Sequence, residues 1–161
     1  MGHLTRYSGE NQCYHLITRA RDGTAVFGEA ANATVVVDAL QFLRLERAYV
    51  LGYVVMPDHL HVVLVPRGDW TISGLMQSIK GFSARAINAT TGRVGPLWQR
   101  SFFDRAITGE PQLIQTLEYI HSNPVAAGLV KLPEEYRFSS AHLSASTDLE
   151  TFLSGGDKAG A

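Results

Sequence analysis

Cysteine and long apolar segments are both scarce in this sequence of 161 residues. One cysteine, Cys13, excludes an internal disulfide and a cysteine-based zinc site, and it suits a reducing compartment. The longest apolar run, from Ala48 to Pro57, is too short to span a bilayer. The first residues, MGHLTRYSGENQ, lack the apolar core of a signal peptide. We therefore expect a cytoplasmic protein without a membrane partner.

Net charge is also small, at −1, which argues against a broadly basic surface for nucleic acid. The basic residues are nevertheless uneven in their distribution. The segment from Thr71 to Arg105 contains one acid, Asp104, and five bases: Lys80, Arg85, Arg93, Arg100 and Arg105. These five are candidates for phosphate contacts, and ordinary solvated charges are the equally weighted alternative.

The order of the predicted elements indicates an α+β fold. Strands are predicted at Gln12–Arg19, 48–56, 59–65 and 101–107. Helices are predicted from Thr34 to Arg47, from a cap at Thr71, and from Pro111 to Ser122, where Asn123-Pro124 stops the last one. We expect one domain over residues 1–153 and a disordered tail over residues 154–161.

This order is that of a ferredoxin-like βαββαβ antiparallel sheet with helices on one face, followed by an additional C-terminal helix. The third strand is central in that topology. The other face of the sheet is left free, and sheets that bind nucleic acid commonly use such a face.

The third strand contains two histidines, His59 and His61, which point to the same face because strand side chains alternate. Two imidazoles at this spacing can share one metal ion, or they can simply be polar residues on a solvated face. His-x-His-x-Asp-His and His-x-His-x-His patterns both fail, since Val63 occupies a required position. Any third ligand must therefore come from another element.

The last helix offers such ligands on its polar face. Its apolar stripe leaves out Tyr119, which shares a face with Gln115 one turn before it and Asn123 one turn after it. A tyrosine on a polar face is either an ordinary exposed aromatic or a phenol held for chemistry. Combined with the histidine pair, this arrangement favours the second interpretation.

Five segments in order resemble the single-tyrosine HUH (His-hydrophobic-His) transposases: YHLITRARDGTAVF, YVVMPDHLHVVLVP, LMQSIKGFSARAIN, GPLWQRSFFDRAI and LEYIHSNPVAAGLV. The resemblance covers Cys13 to Leu143. YIHSNPVAAGLV and EEYRFSSAHL look most like the REP-associated tyrosine transposases, which share their fold with insertion-sequence transposases.

The resemblance implies a transposase that cleaves and rejoins single-stranded or hairpin DNA through a 5′-phosphotyrosine at Tyr119. It implies a divalent metal, Mg²⁺ or Mn²⁺, bound by His59, His61 and Asn123, with Gln115 as the substitute for Asn123. Relatives of this kind act as monomers or homodimers.

Two other functions remain open from the sequence: a non-catalytic nucleic-acid-binding module, and a metallophosphoesterase that uses bound water. Trp98 could stack on an unpaired base, but packing beside Leu97 and Phe102 is the preferred interpretation.

Overall fold

The sheet and its flanking helices occupy most of the computed structural model, which describes Tyr7 and residues 9–155. The strands are β1 (Cys13–Arg19), β2 (Ala48–Met56), β3 (His59–Pro66) and β4 (Phe103–Ile107). The α-helices of this part are α1 (Ala30–Leu43), α2 (Ile72–Thr91), α3 (Glu110–Ala126) and the short α4 (Leu149–Leu153). No helix in the described ranges is both long and apolar enough to cross a membrane.

The four strands are all antiparallel and lie in the order β2-β3-β1-β4. This order confirms the predicted ferredoxin-like topology, with β3 in the interior of the sheet. Because both neighbours of β3 pair with it along its length, its backbone is fixed on both sides. The histidines of β3 therefore project from the most constrained part of the sheet.

Two apolar cores lie on opposite faces of the sheet. Leu16, Leu60, Val62 and Leu64 pack with α1 and α2 on one face. On the other face, the alternate strand residues pack against α3 through Leu113, Leu117 and Ile120, and Phe152 of α4 joins them. The expectation of a free second face is therefore wrong for the part of the sheet under α3, since that helix has an apolar stripe to bury.

A glycine in β2 lets α3 approach this second face closely. A Cβ atom at Gly52 would collide with the side chain of Leu117, and it would also meet Ile120. Gly52 lies at an irregularity in the pairing of β2 with β3, next to Val50. Both features are typical of a glycine placed where another element approaches the backbone.

Three helix boundaries differ from the prediction, and one of them is the end of α1, which lies at Leu43 and not at Arg47. Helix α1 begins at Ala30, so Thr34 lies inside it and donates a hydrogen bond from Oγ1 to the Ala30 carbonyl oxygen (2.8 Å) instead of capping the helix. Helix α3 continues through Asn123 and the buried Pro124 to Ala126. The local preference against a helix before proline is overridden there by packing, and the left-handed Gly128 (φ 77°) follows the true end.

Residues 136–148, here called the edge segment, run along the outer edge of β2. The amide of Val55 donates to the Phe138 carbonyl (2.8 Å), and the amide of Ser140 donates to the Tyr53 carbonyl (2.9 Å). Its far end is held by Asp148, which accepts from the Val50 amide (2.9 Å). The predicted disordered tail lies outside the described residues from position 156 onward.

Candidate active site

His59 and His61 lie at the start of β3, on the face of the sheet that α3 packs against. They share a face with Val63 and Val65, which belong to the core under α3. The two rings lie 5.0 Å apart between centroids, His61 being buried and His59 partly buried. The two imidazoles therefore lie on one face of the sheet, as predicted.

Each of these histidines has a partner at Nδ1. Asp58 Oδ1 accepts a hydrogen bond from His59 Nδ1 at 2.7 Å, since a carboxylate can only accept. His61 Nδ1 lies 2.9 Å from Nε2 of His15, a residue of β1. The Nε2 atoms of His59 and His61 have no hydrogen-bond partner among the described residues, so both remain available to a ligand.

Burial keeps His15 and His61 neutral. Burial, with smaller contributions from the nearby His59, His15 and Arg19, lowers the pKa of His61 to about 3. Burial, with a smaller contribution from Arg105, lowers the pKa of His15 to about 4. At neutral pH both imidazoles therefore keep a free lone pair, which is the form that binds metal ions.

Tyr119 lies on α3 beside this pair. Its side chain is 59% exposed, and its ring meets the His61 ring edge-on with 5.9 Å between centroids. The sequence separates these residues by almost sixty positions, yet the fold brings them into contact. The candidate nucleophile and the histidine pair thus form one site.

The direction of α3 decides which amide lies nearer to the histidines. The helix starts near the end of β4, where Gln112 accepts from the Thr108 amide (2.9 Å). Further along, His121 Nε2 lies 2.7 Å from Ser140 Oγ, and Ser140 is bonded to Tyr53 of β2. Tyr53 pairs with Val62, the neighbour of His61. The helix therefore runs toward the histidine end of β3.

A cleft of about 330 Å³ opens beside Tyr119. Its wall is formed by α3 on one side and by β1 and β4 on the other, and it includes His15, Phe103, Arg105, Gln115 and Tyr119. Gln115 is exposed there, whereas Asn123 is half-buried one turn beyond Tyr119. The cleft thus brings Gln115 and Arg105 beside Tyr119, which contacts the histidine pair through His61, whereas Asn123 does not contribute to the wall of the cleft.

The other predicted phosphate-binding residues lie away from this cleft. Lys80 Nζ donates to the Gln99, Arg100 and Ser101 carbonyls (2.7, 3.3 and 3.2 Å), so it holds the segment before β4. Arg85 is exposed on α2, on the opposite side of the sheet, while Arg93 and Arg100 lie in the connection between α2 and β4. Of the five, Arg105 is the one in the wall of the cleft.

Trp98 is a core residue, as preferred from the sequence. It is buried, its ring lies 4.5 Å from that of Phe27, and its Nε1 donates to Ser83 Oγ at 2.9 Å. It is therefore not positioned to stack on a base.

Two site residues were missed or underweighted by sequence reasoning. These are His15 and Arg19 of β1, whose side chains point to the same face as the histidine pair. Arg19 pairs with His59 in the sheet register. The sequence showed that these two residues share one face of the strand, because they are an even number of positions apart. The register that brings them beside His59 and His61 was not visible, because it depends on long-range pairing.

No three His, Cys, Asp or Glu side chains of the described part come together in a way that could hold a metal ion. A third protein ligand beside His59 and His61 would therefore be of another type. The amides on α3 are the side chains of that kind in the site.

The fold and the site are those of a known family of proteins, and comparison of the sequence with family models identifies it. Residues 8–123 match the model of the IS200-like transposases, so this chain belongs to the IS200-like transposase family. The predicted family is thereby confirmed.

Individual relatives agree with this assignment. A REP-associated tyrosine transposase from Escherichia coli K12 is 30% identical over 92 residues, which are 56% of this chain and 53% of that protein. A relative from Haemophilus influenzae is 28% identical over 98 residues, or 55% of this chain and 56% of the relative. The matched part thus spans about half the length of these curated relatives.

A solved structure has the same fold. It is a REP-associated tyrosine transposase bound to a REP hairpin, with a TM-score of 0.62 and 21% sequence identity. The match covers 80% of this chain and 75% of that one.

Proposed function

We propose that this chain is a metal-dependent single-strand DNA endonuclease and transposase that cleaves and rejoins DNA through Tyr119. The observation that carries the proposal is the contact between the exposed Tyr119 ring and His61, at 5.9 Å between centroids. A phenol beside a pair of imidazoles has the parts needed for phosphodiester transesterification.

The residues present fit a divalent metal ion, Mg²⁺ or Mn²⁺. His59 and His61 each engage a partner at Nδ1, which leaves Nε2 as the coordinating atom. Metal-binding histidines commonly have such a partner at the other ring nitrogen. Asn123 is the preferred third ligand over Gln115, because α3 runs toward the histidine end of β3. A metal bound there would polarise the phosphate and offset the negative charge of the reaction.

Tyr119 supplies the nucleophile in this proposal. Its phenolic oxygen attacks the phosphorus of a DNA phosphodiester and loses its proton, while the bond from phosphorus to the 3′-oxygen breaks. The 3′-oxygen leaves with a proton, and the 5′-phosphate stays covalently bound to Tyr119. Since one phosphodiester replaces another, a second 3′-hydroxyl can reverse the step and join strands without ATP.

Hairpin DNA with a single-stranded extension is the proposed substrate. The solved relative is described as bound to a REP hairpin, and Arg105 places a permanent cation in the cleft beside Tyr119. Whether the active form is a monomer or a homodimer does not alter the chemistry at one Tyr119.

The test is denaturing electrophoresis of the protein after incubation with labelled hairpin oligonucleotides and Mn²⁺. We expect a covalent protein–DNA band that chelation removes. Tyr119→Phe should abolish the band, and His59→Ala should abolish it while leaving the thermal unfolding transition in place.

Tyr49→Phe is the matched control, because Tyr49 lies at the far end of β2, stacked under Arg67 at 4.7 Å. It should retain the covalent band. Cleavage without a covalent band would instead indicate a phosphoesterase that uses water. Binding without any cleavage, unchanged by chelator, would indicate a non-catalytic DNA-binding module.

A further inference from the structure

An exposed phenylalanine lies on the sheet face of the candidate site. Phe103, the first residue of β4, is 57% exposed, although aromatic rings of this size are usually covered in a folded domain. The ring is therefore open to a ligand on the same face as the histidines.

The sheet register fixes where this ring lies. Ile17 of β1 pairs with His61 on one side and with Phe103 on the other. Phe103, Ile17 and His61 consequently form one row across the sheet, pointing to one face. Two strand spacings of ~4.8 Å put the backbones of Phe103 and His61 roughly 10 Å apart.

Phe103 also separates two clefts. One is the cleft of about 330 Å³ beside Tyr119, and the other, of similar volume, is lined by Ile17, Arg19 and Gln99. The ring contributes to the wall of both. A strand of polymer that crosses the site from one cleft to the other must pass over this ring.

The charges around Phe103 favour a polyanion. Arg105 follows it by two residues on the same face, and Arg19 lies across the second cleft. The intervening acid, Asp104, points to the opposite face because strand side chains alternate. An aromatic ring between two arginines matches a nucleobase with phosphates on either side.

We propose that Phe103 is a stacking platform for a nucleobase of single-stranded DNA next to the scissile phosphate, with Arg19 and Arg105 holding the flanking phosphates. This inference rests on the proposed function, because it names a subsite of that same DNA-binding face. Stacking on a ring tolerates every base, so the subsite orders the strand without reading its sequence.

The test measures binding rather than cleavage. Fluorescence anisotropy with 5′-labelled dT20 is compared among variants that all carry Tyr119→Phe, which removes the covalent step. Phe103→Leu should weaken binding about tenfold, and Phe103→Trp should restore it, since stacking is lost in the first and kept in the second.

Phe82→Leu is the matched control: Phe82 is 39% exposed on α2, on the other side of the sheet. It should bind dT20 like the parent. Irradiation of a dT20 containing 5-iodouracil should also crosslink to the peptide that contains Phe103, as mapped by mass spectrometry.

The outcomes separate the two proposals. Equal affinity of Phe103→Leu and the parent, with crosslinks elsewhere, overturns the stacking platform and leaves the proposed function intact. Failure of the parent to bind dT20 or any hairpin oligonucleotide overturns the proposed function itself. Thermal unfolding of each variant checks that a loss of binding does not come from loss of the fold.

Discussion

His15 contacts one of the two histidines of the candidate metal site. Its Nε2 lies 2.9 Å from His61 Nδ1, and the two rings stack with 5.1 Å between centroids. If His61 coordinated a metal through Nε2, its Nδ1 would carry the proton and donate to His15. His15 would then fix both the tautomer and the orientation of His61, as partners of metal-binding histidines commonly do.

This role predicts a change in metal affinity. His15→Ala should weaken Mn²⁺ binding about 10- to 100-fold, because His61 loses the acceptor that orients it. His15→Gln should recover part of the affinity, since its amide oxygen can accept the same hydrogen bond. Titration of free Mn²⁺ by electron paramagnetic resonance measures the change without relying on activity.

The control for this measurement is His142→Ala, a substitution in the edge segment where His142 is bonded to Ser144. It should leave Mn²⁺ affinity unchanged. An unaltered dissociation constant in His15→Ala would show that His15 has only a packing role.

At the scale of elements, the position of Tyr119 depends on how closely α3 packs against β2. Gly52 provides the space that Leu117 fills. Gly52→Ala should lower the free energy of unfolding by about 1–3 kcal/mol, because a methyl group would have to displace a buried side chain. Gly28→Ala is the control, since a Cβ there meets nothing nearer than Pro57 at 3.8 Å.

Urea denaturation measures both variants. Because Leu117 and Tyr119 are two residues apart on one helix, Gly52→Ala should also reduce the yield of covalent DNA complex. Equal stability of the two glycine variants would mean that α3 can move away from β2 with no loss in the free energy of unfolding.

Asp148 is one of the residues that hold the edge segment to the sheet. Its carboxylate accepts two hydrogen bonds from Arg44 (3.1 and 3.0 Å) and one from the Val50 amide (2.9 Å), in a partly buried position. Asp148→Ala should therefore cost about 1–3 kcal/mol, as expected for charge-assisted hydrogen bonds.

Asp38→Ala, which removes an exposed acid from α1, is the comparison in the same urea experiment and should change stability little. If both variants unfold at the same urea concentration, Asp148 does not anchor the edge segment. The edge of β2 would then be closed by the other hydrogen bonds of the edge segment, such as those of residues 138–140 and that of the Asp148 amide to the Val50 carbonyl (2.8 Å).

Local patterns in the sequence predicted the elements well, and long-range packing explains where they failed. Alternating and helical periodicity gave all four strands and the three longer helices. The predicted end of α3 at Ser122 was wrong, because burial of Pro124 outweighs the local preference against a helix before proline. In the site, strand alternation predicted that His59 and His61 share a face. The contact of His15 with His61 depends on the pairing of β1 with β3, which the sequence does not show.

Charge alone was a weaker guide than topology. Lys80 and Arg105 looked equivalent in the sequence as basic residues of one segment. The fold uses the ammonium of Lys80 to bind three carbonyls and leaves Arg105 in the cleft wall. A side chain's partners in the folded state cannot be inferred from its charge.

For the molecule as a whole, the two-faced sheet explains how a reactive site can coexist with a stable core. Helices α1 and α2 fill one face, and α3 covers part of the other. Beside the buried His15 and His61, the Phe103 and Tyr119 rings stay exposed. In the proposed function, these residues would be available to DNA without exposure of the apolar cores.

The buried histidines make the stability of the whole molecule depend on pH. In the folded state the pKa values of His15 and His61 are lowered to about 4 and about 3, and burial also lowers that of His121. The ordinary value of ~6.5 applies in the unfolded chain, so below that pH the unfolded state binds more protons. Stability is therefore fully present above pH 6.5 and falls as the pH decreases toward the folded-state values.

We expect the urea midpoint of the metal-free protein, measured with chelator, to fall steadily from pH 7 to pH 5, where most carboxylates remain ionised. His15→Gln should reduce the slope, because one of the buried imidazoles is gone. Mn²⁺ should raise the midpoint at pH 7 and lose this effect toward pH 5, since protons compete for the same nitrogens. A midpoint that stays constant over this range would contradict the assignment of neutral, buried histidines beneath Tyr119.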